Sequence, residues 1–162
     1  MTSITPCLMF EQGAEEAVNL YVSLIPNSSI TEVARYGEGS RQPAGTVLSI
    51  EVVLDGLNVL VINGGPPSEF TEAMSLSISA ETQDDIDRLW DGFLEGGGTP
   101  GPCGWLKDRF GFWWQIVPPR LNELLKDPDP ARAGRAMEAM LGMNKIDIAQ
   151  LEAAADGARV TL

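Results

Sequence analysis

Val47-Leu48-Ser49-Ile50-Glu51-Val52-Val53-Leu54-Asp55-Gly56-Leu57-Asn58-Val59-Leu60-Val61-Ile62 carries the strongest local signal in the chain. Two arms rich in Val, Ile and Leu flank Asp55-Gly56. That dipeptide between β-prone runs marks a two-residue hairpin turn, because both central residues need positive φ and Gly and Asp reach it most easily. Upstream, Ile4–Phe10 forms a short apolar strand, and Ile30–Tyr36 forms another. Between them Ala14, Ala17, Val18, Tyr21, Leu24 and Ile25 recur at three- and four-residue steps, the period of a helix with one buried face. Glu15 and Glu16 fall in its first turn, where the helix dipole favours negative charge. Gly64-Gly65-Pro66-Pro67 ends this block.

The same order then begins again. Ala73–Ala80 alternates as a strand, and Thr82-Gln83-Asp84-Asp85 is a capping-box variant opening a helix. That helix buries Ile86, Leu89, Trp90, Phe93 and Leu94 and stops at Gly96-Gly97-Gly98. Strands Gly104–Lys107 and Phe112–Val117 follow around the Asp108–Gly111 turn. So little chain separates Gly98 from Gly104 that the second block is expected to lack a strand. Beyond Pro118-Pro119 the pattern is helical: Leu121–Lys126, Pro130–Leu141 and Lys145–Ala155. Asp129 before Pro130 suits an N-cap and N1 pair, and Gly142 a C-cap. The reading is a single α+β domain over 1–162, with modules at 4–66 and 73–118 and C-terminal helices at 119–156. The two sheets are expected to curl around a shared cavity.

Composition narrows the chemistry. The 162 residues hold 11 Lys and Arg against 23 Asp and Glu, a formal charge of −12, and no histidine. Histidine-dependent catalysis, imidazole metal ligation and a histidine pH switch are excluded. The acidity argues against nucleic-acid or anionic-membrane partners, whose phosphates need clustered Lys and Arg. Cys7 and Cys103 are too few for a disulfide framework and match no zinc spacing. MTSITPCLMF lacks a basic n-region and a long apolar core, and no run approaches the ~18 residues of a membrane span, so a cytoplasmic protein is expected.

No glycine-rich turn joins a strand to a helix, so nucleotide and S-adenosylmethionine loops find no context. Cys7, in an apolar strand, reads as a core thiol. Cys103 stands near Lys107 and Arg109, a setting that can favour thiolate, but an unreactive loop or strand-start cysteine is the preferred reading. Trp105-Leu106-Lys107-Asp108-Arg109-Phe110-Gly111-Phe112-Trp113-Trp114-Gln115 is the densest stretch, with three of the four tryptophans. Strand alternation puts Trp113, Gln115 and Val117 on one face and Trp114 and Ile116 on the other. An aromatic wall with one amide suits a ligand pocket, and it equally suits a core with Gln115 satisfied by backbone. Asn63, beside the Gly-Gly-Pro-Pro break, either orients a ligand or simply ends a strand.

Several of these segments together resemble one family. They are Cys7-Leu8-Met9-Phe10, Ala14-Glu15-Glu16-Ala17 with Tyr21 and Pro26-Asn27-Ser28, Asn63-Gly64-Gly65-Pro66, and Cys103 through Gly111 with Trp114-Gln115-Ile116-Val117-Pro118. Asp127-Pro128-Asp129, Ala136–Met140 and Lys145–Ala149 extend the resemblance to about Leu151. The family is the PhnB-like, or 3-demethylubiquinone-9 3-methyltransferase domain, proteins of the glyoxalase/bleomycin-resistance/dioxygenase (vicinal oxygen chelate) superfamily. The resemblance implies paired βαβββ modules and a homodimer. Metal-using members of the superfamily place their ligands at the positions that match Pro6 or Cys7, Val59, Met74 and Gln115. Hard divalent ions need His or carboxylate there, and this chain supplies neither, so no metal and no cofactor are expected.

Two functions are therefore carried forward. The first is a metal-free pocket for an apolar or aromatic small molecule, with Cys7, Met9, Val59, Asn63, Met74, Trp105, Trp113 and Gln115 as candidate lining. The second is a transferase or isomerase acting through Cys103 or the Lys107-Asp108-Arg109 turn.

Overall fold

A computed structural model describes residues 2–158; Met1 and residues 159–162 of the expected domain lie outside the described residues. The chain forms two compact units, one ending at Glu69 and one beginning at Phe70.

In the first unit β1 (Cys7–Phe10) precedes α1 (Ala14–Leu24), and β2 (Ser29–Arg35), β3 (Val47–Leu54) and β4 (Leu57–Asn63) follow. The sheet order is β1-β4-β3-β2, with β1 and β4 parallel and the other pairs antiparallel. The hairpin forms as its sequence dictates: Leu54 pairs with Leu57, and Asp55 and Gly56 take φ of 44° and 86°. Period-two alternation buries Leu8, Phe10, Ile50, Val52, Val59 and Val61 on the side covered by α1. The helix meets them with Ala14, Ala17, Val18 and Tyr21, all fully buried. The opposite sheet face is left open, and Cys7 and Met9 lie on it. Cys7 is thus no core thiol but an exposed one, because the alternation that turns Leu8 and Phe10 inward turns Cys7 outward.

The second unit opens with β5 (Leu76–Ser79) and α2 (Gln83–Leu94), continues through β6 (Thr99–Pro100), β7 (Trp105–Lys107) and β8 (Trp113–Val117), and orders its sheet β5-β8-β7-β6. The expected missing strand is present. Thr99 and Pro100 pair with Lys107 and Leu106 as a two-residue edge strand, where proline's absent N–H is harmless. β5 starts three residues later than the alternation of Ala73–Ala80 suggests, since Met74 N–H bonds back to Thr71 in a turn. Thr82 forms the N-cap, but the reciprocal bond of a capping box is replaced: Asp85 N–H donates to Thr82 Oγ1 at 3.1 Å, and that hydroxyl, not the Thr82 backbone N–H, donates to Asp85 Oδ2 at 2.7 Å. α2 lays Ile86, Leu89 and Phe93 on the face holding Leu106, Trp114 and Ile116, with Phe93 stacked on Trp114 at 4.6 Å.

Three helices complete this unit: α3 (Pro119–Leu125), α4 (Pro130–Leu141) and α5 (Ile148–Ala155). They bury Leu121, Leu124, Ala136, Ala139 and Leu151 among themselves. α5 begins at Ile148 rather than Lys145 because the Asp147 side chain accepts the Gln150 N–H as its N-cap. The residues before it dock on α2. Gln83 donates through Nε2 to Ile146 O at 3.1 Å and accepts Ile148 N–H at 3.0 Å, and Lys145 pairs with Asp87 at 2.7 Å. The Lys145 ammonium, with help from Gln83, holds the Asp87 carboxyl below its ordinary pKa. No helix among the described residues is long and apolar enough to cross a membrane.

Candidate functional site

β7 and β8 decide where the chemistry-bearing side chains of the second unit go. The register sets Trp105 opposite Gln115 and Lys107 opposite Trp113. These four share one face, half-buried, while Leu106, Trp114 and Ile116 are sealed under α2. The expected division of the tryptophans therefore holds: Trp114 is core, and Trp105 and Trp113 stand on the open face. Between them lies a cleft of about 270 Å³, lined by Trp105, Trp113, Cys103, Pro102 and Glu72. Its walls are almost wholly carbon and indole, and among the described residues Glu72 supplies the only charged lining side chain. Lys107 turns its ammonium over the Trp113 ring, 5.8 Å from the centroid.

Cys103 reaches this cleft through an unusual backbone. It sits at φ 57° and Gly104 at φ 84°, two successive residues in the left-handed region. Their N–H groups donate to Met143 O and Asn144 O, both at 2.7 Å, so the segment leading to α5 holds the cleft's floor in place.

The Lys107-Asp108-Arg109 turn does not converge on a reaction centre. Asp108 is the one charged residue fully buried among the described residues. Its Oδ1 accepts Phe110 N–H at 2.9 Å and Phe112 N–H at 3.0 Å, and its Oδ2 accepts the Trp114 indole N–H at 2.9 Å. Arg109 points elsewhere, stacking on Phe110 at 4.9 Å and donating to Glu95 O near the end of α2. Asp108 is an internal anchor of the β7–β8 turn, and Arg109 supports the end of a helix.

The remaining sequence-derived positions separate. Gln115 donates to Ser75 Oγ at 2.9 Å, a side-chain partner rather than the backbone one of the core reading. Asn63 accepts Ala14 N–H at 3.2 Å and donates to Val47 O at 3.0 Å, so it caps α1 from the end of β4. Val59 is buried under α1, on the opposite face from Cys7 and Met9. Met74 is exposed in the turn before β5. A second depression, in the first unit, is lined by Ser3, Ile4, Thr5, Thr31, Glu51, Asn58 and the strand residues Val52, Leu60 and Val59, the last a sequence candidate. Neither Cys7 nor Met9 is part of it. Glu72 and Pro102 were not legible as site residues, since a loop Glu and a loop Pro carry no sequence signal of their own.

At Val59, Met74 and Gln115, which the sequence resemblance matched to metal ligands, the side chains do not fit a hard divalent ion. Val59 has no donor atom, Met74 offers a soft thioether, and Gln115 offers only a neutral amide oxygen, its Nε2 donating to Ser75. Among the described residues no three His, Cys, Asp or Glu side chains cluster as metal ligands would.

Two units, each a strand, a helix and three further strands in the order first-fourth-third-second, define an α+β protein of paired βαβββ modules with a C-terminal helical extension. The chain belongs to the 3-demethylubiquinone-9 3-methyltransferase family, which matches residues 2–117 and so leaves α3, α4 and α5 outside the match. Among solved structures it is similar to the PhnB protein from Bacillus cereus, with 33% identity over 72% of this chain and 99% of that one, at a TM-score of 0.65. It is also similar in fold to protein PA1353 from Pseudomonas aeruginosa, at 20% identity over 73% of this chain and 98% of that one, with a TM-score of 0.60. No curated protein matches.

Proposed function

We propose that this PhnB-like protein binds an apolar or aromatic small molecule in the Trp105–Trp113 cleft and does so without a metal ion. One observation carries the reading: two indole rings and a proline line a cleft of about 270 Å³, close to the size of the smaller ligand sites. Indoles half-exposed on an open sheet face gain most from an aromatic guest, which removes water from both partners. The unsuited donor set and the lack of histidine support the metal-free part.

The test uses purified full-length protein. Saturation-transfer NMR with a neutral aromatic such as 2-naphthol should detect binding, and Trp113→Ala should weaken it about five- to thirtyfold, as loss of a stacking partner worth about 1–2 kcal/mol implies. Elemental analysis of the same sample should find zinc, nickel and iron far below one ion per chain. Unchanged binding in Trp113→Ala rejects the cleft, and a stoichiometric metal rejects the metal-free reading.

Cys103 keeps the rival reading in play, because its thiol lines the cleft. Cys103→Ser leaves binding intact if the cleft only sequesters its ligand, and removes turnover if Cys103 is the nucleophile of a transferase or isomerase. We further infer a homodimer in the cytoplasm, on the family resemblance; a solution mass near 17.4 kDa by light scattering would refute the dimer.

A further inference from the structure

We propose that the cleft selects a cationic aromatic ligand, such as a benzylic or aryl-alkyl ammonium, over neutral or anionic ones of the same shape. This rests on the small-molecule reading above and adds the ligand's charge.

Three observations on the second unit converge. Glu72 is exposed and, among the described residues, is the one charged side chain lining the cleft, so a carboxylate borders an otherwise apolar site. The walls are the two indoles, the aromatic rings whose faces attract cations most strongly. The ring system already shows this preference within the chain, since the Lys107 ammonium rests over Trp113. The surrounding field has the same sign. From Phe70 onward the sequence carries 9 basic and 15 acidic residues, and the segment before it 2 and 8, so both units attract cations and repel anions.

Lys107 is the opposing group. It is half-buried on the same face and holds a like charge over Trp113. Its flexible stem lets the ammonium swing into solvent when a guest cation arrives, so it lowers affinity without closing the site. The two charges therefore act with opposite signs: Glu72 favours a cation, and Lys107 disfavours it.

The experiment titrates the full chain by NMR at low ionic strength with three probes: benzyltrimethylammonium, its neutral carbon isostere neopentylbenzene, and phenylacetate. The expected result is that the cation binds at least tenfold more tightly than phenylacetate. Glu72→Gln should weaken the cation about three- to fivefold, the upper part of the range of an exposed charge pair, and leave the neutral isostere unchanged. Lys107→Met should strengthen the cation by a similar factor. Both substitutions are at surface positions outside the buried core, so the fold is preserved. Phenylacetate binding as tightly as the cation overturns the proposal, and so does a Glu72→Gln protein with unaltered cation affinity. In either case binding of the neutral isostere leaves the small-molecule reading standing. Failure of all three probes to bind removes both.

Discussion

Asp108→Ala is expected to destabilise the protein by about 3 kcal/mol or more, seen as a lower midpoint in urea unfolding. The carboxylate receives three donors: the Phe110 and Phe112 N–H groups on one oxygen and the Trp114 indole on the other. At 2% exposure water cannot replace it without opening the structure. Each buried donor left without an acceptor costs about 1–3 kcal/mol, and Phe112 and Trp114 are themselves buried aromatic neighbours 5.2 Å apart. Domains of this size are stable by only about 5–15 kcal/mol, so the loss is a large share of the whole. Asp108→Asn keeps one carbonyl oxygen but sets an NH2 group against a donor. It should fall between the two, at about 1–2 kcal/mol. If the alanine protein does not fold, the asparagine protein still gives a measurable shift. A change below about 0.5 kcal/mol in both would mean that the anchor is not needed.

The same residue shows how far the sequence could be read. Asp108 four positions before Phe112, with Gly111 between, is a turn signature and was legible as a turn. Its Trp114 partner was not, because the contact depends on which strand face α2 covers. Local signals fared well elsewhere for the same reason: they need no partner at a distance. Asp55-Gly56 made its hairpin, Thr82 made its N-cap with Asp85, and α4 runs from Pro130 to Leu141 between the cap residues expected for it. Alternation likewise placed Trp113 and Trp114 on opposite faces.

What stayed hidden was pairing and coverage. A two-residue strand such as Thr99–Pro100 has no period to detect and exists only through its ladder to β7. Cys7 alternates correctly, yet alternation does not say which face the helix will cover. Asn63 ends its strand as its residue type suggests, but its acceptor role at Ala14, 49 positions away in the chain, belongs to tertiary structure. The candidate site divides the same way. Trp105, Trp113 and Cys103 were legible and do meet at one cleft, whereas Glu72 reaches it from a loop that sequence leaves unplaced.

Gly104→Ala should be as damaging as the loss of Asp108, at about 3 kcal/mol, and should affect ligand binding as well. Gly104 sits at φ 84°, where an L residue pays about 1–2 kcal/mol for crowding its own backbone. A methyl group there would also lie 2.7 Å from Ile116 O and 3.1 Å from the buried Ile146 side chain. The carbonyl belongs to β8 and cannot yield without breaking the ladder, since Ile116 N–H donates to Gly104 O at 2.8 Å. Relief can come only by moving the 103–104 segment, which would loosen its bonds to Met143 and Asn144 and shift Cys103 at the cleft. Hydrogen exchange should therefore rise at the Cys103 and Gly104 amides, and 2-naphthol should bind more weakly than to the parent protein. Gly134→Ala is the matched control. It makes the same chemical change inside α4, where a new methyl meets nothing within 4 Å. Replacing a helical glycine should raise stability by about 0.5–1 kcal/mol there. Opposite signs from one methyl group would separate conformation and close packing from any general effect of losing glycine. Equal shifts at the two sites would remove the case for a constrained turn beneath the cleft.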